Sequence, residues 1–279
     1  MKMEEIKSEL SEEDRVALER AVAILENPSF VARAADVIGS PVEKAVALLP
    51  AKAATAIGNA AEKAIFASLE VAMKTMDVAE TGLPASNWWH KGASAVSGGI
   101  GGFFGILALA VELPISTTIM MRSIADVARS EGADLTRADV KLECVKVLAL
   151  GGPTRSDDGA DIGYFASREM LAKVTAEAAA YIAQHGLESE GAPALVRLIL
   201  AIAERYSVNV TEKVAAQAVP VIGAAGGALI NTLFMDHFQD VARGHFVIRR
   251  LEQRYGPEFI LQQYKLARER QKKLAATVN

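Results

Sequence analysis

The chain has 279 residues, 30 basic and 34 acidic, with one cysteine and 51% hydrophobic residues. A formal charge of −4 supplies no basic field for phosphate backbones, which argues against sequence-independent nucleic-acid binding, and the apolar content excludes disorder. Cys144 is the lone thiol, so neither an internal disulfide nor a thiolate zinc site can form, and a reduced, cytoplasmic setting is expected.

Abundant alanine with only 6% aromatics favours close-packed helices over strands, and no sustained period-2 alternation or long repeat occurs. The expected fold is all-α: a single multi-helix domain with two Gly/Ala-rich apolar central helices. The opening MKMEEIKSEL is charged and lacks the apolar core of a signal peptide, so export is not expected.

Ser11 and Asp14 suggest a capping box for a helix over about 12–26. A short segment then leads from Pro28 to Gly39. Pro41 opens a long Ala-rich stretch that Pro50 divides, and TGLPASNWWHKG over 81–92 reads as a loop carrying Trp88, Trp89 and Lys91. A helix over 115–130 ends at Gly132, and another over 135–150 stops at Gly151–Gly152–Pro153. Ser156 or Asp157 caps a helix running through Tyr164 to Gln184, and Pro193 starts the next. An amphipathic stretch over 234–255 ends at Gly256–Pro257, and residues 258–279 read as a charged surface helix that frays. The expected divisions are 1–27, a main domain over 28–256, and the tail 257–279.

Two runs, 93–111 and 214–235, contain no charge and reach about the length that spans a bilayer. Glycines dilute the first, so burial within the domain is favoured, with reversible insertion and permanent spanning as alternatives. The tryptophans ahead of it suit either the headgroup layer or a core cap.

Ionisable groups inside apolar helices are the informative positions, because burying a charge is costly unless it is paired or used. Glu112 follows the first uncharged run. Thr118, Arg122 and Asp126 share one helix face, where Arg122 can pair with Asp126. In SDDGADIGYFASR, Asp157 and Asp158 meet the positive end of a helix dipole, while Asp161, Tyr164 and Arg168 share a face that either binds a ligand or bridges to a neighbouring helix. In NTLFMDHFQDVARGHFVIRR, Asn231 is followed by Asp236, His237, Asp240 and His245, the residue types of helical metal sites. The Glu-x-x-His and H-E-x-x-H patterns are absent, so no cofactor is expected and a divalent metal is the minority alternative. No G-x-S-x-G elbow or Walker loop occurs, the glycines of GGIGGFFG read as packing positions, and Cys144 reads as a buried small hydrophobe.

GGIGGFFG with ELP and SIADVARSEGADL, LALGGPTRSDDGADIGYFASR, and AVPVIGAAGGALINTLFMDHFQDVARGHFVIRRLEQRYG together resemble the EcsC protein family over about residues 28–256. The resemblance implies no settled activity and transfers no catalytic residue. Some members carry a peptidase label, but no zinc-protease motif or nucleophile arrangement accompanies it in this sequence.

Two functions are weighed. The first is a non-enzymatic helical protein that associates with a membrane surface or lipid, peripheral to the inner face of the cell membrane, with its polar groups forming a buried network. The alternative is a hydrolase, in one version metal-dependent, with Glu112, Asp236, His237, Asp240 and His245 as catalytic candidates. Arg122, Asp126, Asp161, Tyr164, Arg168 and Asn231 would bind ligand. A third option has the charged C-terminal helix docking a protein partner.

Overall fold

The computed structural model describes residues 9–26, 30–38, 42–76, 105–150, 163–186, 192–218 and 223–278, which form a single all-α domain with no strand among them. Ten helices occur in this set: α1 Glu12–Glu26, α2 Phe30–Ile38, α3 Val42–Ala47, α4 Ala51–Thr75, α5 Gly105–Ser130, α6 Ala138–Leu150, α7 Gly163–His185, α8 Pro193–Gln217, α9 Gly223–Tyr255 and α10 Pro257–Val278.

Most breaks fall where proline and glycine demand them. The Ala-rich stretch divides before Pro50, α8 has Pro193 in its first turn, and Gly256 adopts φ +91°, which separates α9 from α10. Ser11 caps α1 by accepting a bond from the Asp14 amide at 3.2 Å, as expected. The Asp14 carboxylate, however, receives Tyr255 Oη at 2.7 Å and Arg254 at 2.8 Å across the domain.

Four segments differ from the sequence reading. The stretch after Pro28 contains α2, whose Phe30 is fully buried edge-on against Phe234 at 5.3 Å, so tertiary packing stabilises a helix too short to persist alone. Pro114 lies inside α5 rather than at its boundary. The carbonyl it leaves unbonded belongs to the exposed Ala110, where water can satisfy it. Helix α6 begins at Ala138, not near 135, because Asp134 Oδ1 takes the Thr136 amide at 3.0 Å and its hydroxyl at 2.6 Å, holding a turn. Finally, α10 is anchored: Ile260 and Tyr264 are fully buried, Tyr264 Oη donates to Glu26 at 2.7 Å, and Arg268 Nε lies 2.7 Å from Glu26.

The core is continuous from α1 to α10. Pairings along α5 set the orientation of its neighbours. Glu112 meets Lys213 at 3.1 Å and Thr117 bonds Tyr206 at 2.8 Å, so α8 runs antiparallel to α5. Tyr206 packs on Phe234 and Phe238, and Gln239 donates to Ser123 at 2.7 Å, so α9 runs parallel to α5. Helices α1 and α9 approach closely at Gly244, where a Cβ would lie 2.8 Å from Leu25 Cγ.

Residues 93–104 of the first uncharged run and 219–222 of the second lie outside the described residues, as do Trp88, Trp89 and the 81–92 loop. Among the described residues, no helix is long and apolar enough to cross a membrane.

Candidate functional site

Helix α6 is buried at every position from Val140 to Leu150, so its charged residues have no solvent face to occupy. Glu143 and Lys146, one turn apart, resolve this by pairing at 2.7 Å. Glu143 also receives His245 Nε2 at 3.0 Å and lies 3.0 Å from Arg249 Nη1. His245 and Arg249 are four residues apart on α9 and therefore share a face. From α7, Tyr164 reaches the other imidazole nitrogen, Nδ1, at 2.8 Å. Arg168, four residues on, forms a two-pronged pair with Glu252 at 2.8 and 2.7 Å, and its guanidinium stands 5.5 Å from the Phe165 ring centroid. Tyr164 stacks on Tyr264, carrying the cluster to α10.

The chemistry of this cluster fixes its proton positions. A carboxylate only accepts, so Nε2 of His245 carries hydrogen toward Glu143. Burial, with Lys146 and Arg168 adding to it against the pull of Glu143, pushes His245 down to about 4, so the ring is neutral at pH 7 and its Nδ1 accepts from the Tyr164 hydroxyl. Burial pushes the Glu143 carboxyl up, but the His245 hydrogen bond and the Lys146 and Arg249 charges outweigh it and hold Glu143 well below the carboxylate range. Burial lowers Lys146 and raises Tyr164.

Tyr164, His245 and Glu143 thus have the connectivity of a donor, a base and an orienting carboxylate. Tyr164 is 3% exposed and His245 0%, so neither reaches solvent as the helices stand, and the geometry acts as a locked internal network. Arg249, a quarter exposed, is its link to the surface.

The sequence-derived candidates separate into several environments. His245, Tyr164 and Arg168 meet in the network. Glu112 pairs with the buried Lys213, whose ammonium stands 5.2 Å from the Phe234 ring, one turn before His237. His237 is buried, with the Phe30 and Phe238 rings at 6.2 and 5.0 Å. Asp240 bridges Arg33 at 2.8 Å and Arg243 at 3.1 Å, and Asp236 is exposed. Asn231 accepts from Gln217 at 3.2 Å. Arg122 is exposed, and Asp126 receives Arg129 at 2.8 Å. Asp161, with Asp157 and Asp158, lies outside the described residues.

Eight residues of helix put His237 and His245 about 12 Å apart along the axis, too far to share one metal ion. Among the described residues, no group of three or more His, Cys, Asp or Glu side chains is placed to hold a metal. Glu143, Lys146, Arg249 and Glu252 were not singled out from sequence. Their signal was available: Glu143 and Lys146 interrupt KLECVKVLAL without making a polar face, and Arg249 and Glu252 follow His245 at four and seven residues.

An all-helical domain crossed by a solvent-excluded chain of charged and aromatic groups is the class of protein these features define. The chain belongs to the EcsC protein family, whose family model matches residues 17–251. No curated protein and no solved structure matches it.

Proposed function

We propose that this EcsC-family protein is a non-enzymatic helical protein that associates with a membrane or lipid surface at the cytoplasmic face, using the end of the domain where α5 and α9 begin. The observation carrying this reading is the exposure of large apolar side chains on the first turns of these two helices. Val111 is 66% exposed, Ile115 lies one turn further along α5 at 44%, and Leu229 on the parallel helix α9 is 43% exposed. Both helices continue the uncharged runs 93–111 and 214–235, and Glu112, the charge between Val111 and Ile115, is taken up by Lys213. Burying such side chains contributes about 1.5–3 kcal/mol each, enough for reversible binding by a few together.

The test is sedimentation of detergent-free protein with liposomes of neutral and anionic composition, at low and high salt. Binding that survives high salt, and that falls in a Val111→Asp/Ile115→Asp variant retaining its helical circular dichroism, is the expected outcome. A protein that stays in the supernatant with every liposome composition refutes the reading.

A further inference from the structure

At the far end of α5 from Val111 and Ile115, a cavity of about 360 Å³ opens between the 131–134 turn, the start of α6 and the last turns of α9. Sixteen residues separate Ile115 from Glu131, about 24 Å of helix, so this cleft is remote from the apolar end and owes nothing to the membrane reading. Its size lies within the range of small-molecule sites.

Three guanidinium groups line it: Arg137 from the edge of α6, and Arg249 and Arg250 from α9. A guanidinium has five donors, and among the described residues few of them are occupied. Arg137 uses Nε and Nη2 on Asp139 at 3.1 and 2.9 Å, and Arg249 directs Nη1 at Glu143. Arg250 Nε pairs with Glu131 Oε2 at 3.4 Å, and both of these atoms are buried. The rest of both side chains stays accessible, 38% for Arg250 and 18% for Glu131, and both residues line the cavity.

The remaining polar lining is acceptor-rich, with Glu131, Asp134 and Gln253 beside the arginines. Charges of both signs do not select a bare anion. They select a molecule with an oxyanion for the arginines and hydroxyls for the carboxylates.

We propose that this cleft binds a phosphorylated polyol, its phosphate held by Arg249 and Arg250 and its hydroxyls donating to Glu131 and Asp134. Arg249 joins the cleft to the buried cluster, so an oxyanion there shares this cation with Glu143.

The experiment is calorimetric titration of the full chain at low salt with ribose 5-phosphate, inorganic phosphate and ribose. Ribose 5-phosphate binds saturably, and the other two bind about tenfold or more weakly, as expected when each lacks half of the contacts. Arg250→Gln weakens ribose 5-phosphate about tenfold, the loss of one charge-assisted contact, while Arg197→Gln on the exposed face of α8 leaves it unchanged. In the unsubstituted protein, the Nε–H resonances of Arg249 and Arg250 shift with ribose 5-phosphate, a readout that does not depend on any variant folding. Absence of saturable binding, binding with those two resonances unmoved, or equal affinity for inorganic phosphate overturns the proposal.

Discussion

Acid should loosen this domain through one imidazole. His245 is neutral in the folded protein, with its ordinary value of 6.5 depressed to about 4 chiefly by burial, while in the unfolded chain it regains the ordinary value. Between those two pH values the unfolded state binds the extra proton, so stability is full above pH 6.5 and is lost as pH falls toward 4. Each unit of displacement is worth about 1.4 kcal/mol, which gives a loss of about 2 kcal/mol between pH 7 and pH 5. Glutamine can supply an N–H to Glu143 and a carbonyl oxygen to Tyr164 in place of the neutral ring, but does not titrate. Urea unfolding of the native protein and of His245→Gln at pH 7, 6 and 5 isolates this contribution, because every other titrating group is common to both. The native protein should lose about 2 kcal/mol more than the variant over that interval. Equal losses would mean that His245 is charged in the folded state or reaches water, and the neutral-ring assignment would fall.

Two further outcomes test the packing. Gly244→Ala should destabilise by about 1–3 kcal/mol in thermal unfolding, opposite to the gain that alanine gives in an open helix, because its Cβ would lie 2.8 Å from Leu25 Cγ. The cost should shrink in a Leu25→Ala background, and a stabilised Gly244→Ala would refute the close α1–α9 approach. Burial, with the Glu143 charge beside it, pushes the Cys144 thiol up to about 12, so a thiol reagent at pH 8 should label it only as the protein unfolds in urea; rapid labelling of the native protein would contradict the buried α6.

The all-α architecture and most helix ends were legible because they are local: proline and glycine act within a turn or two of themselves. The misread elements are those decided by distant partners. Helix α2 depends on Phe30 meeting Phe234, and α10 on Tyr264 meeting Glu26, pairings that no window of sequence contains. Pro114 sits inside α5 although proline signals a helix start, and the residue whose carbonyl it leaves unbonded, Ala110, is exposed. For the site, Tyr164, Arg168 and His245 were recognisable as polar groups in apolar surroundings, yet spacing alone could not say that they meet. Glu143 and Lys146 escaped because charges on a helix are ordinarily assumed to face water, and α6 has no such face.

The contacts of α1 bear on how the chain is made. Asp14 binds Arg254 and Tyr255, 240 and 241 residues later, and Glu26 binds Tyr264, 238 residues later. At ordinary synthesis rates of about 5–20 residues per second, α1 leaves the ribosome roughly 12–50 s before these partners exist. Its apolar face, Leu18, Val22 and Leu25, stays uncovered for that interval, open to chaperones or to the wrong neighbour. Helices α9 and α10 therefore close the domain around α1, and a ribosome stalled before Gly223 would hold a chain in which α1 lacks both of these partners.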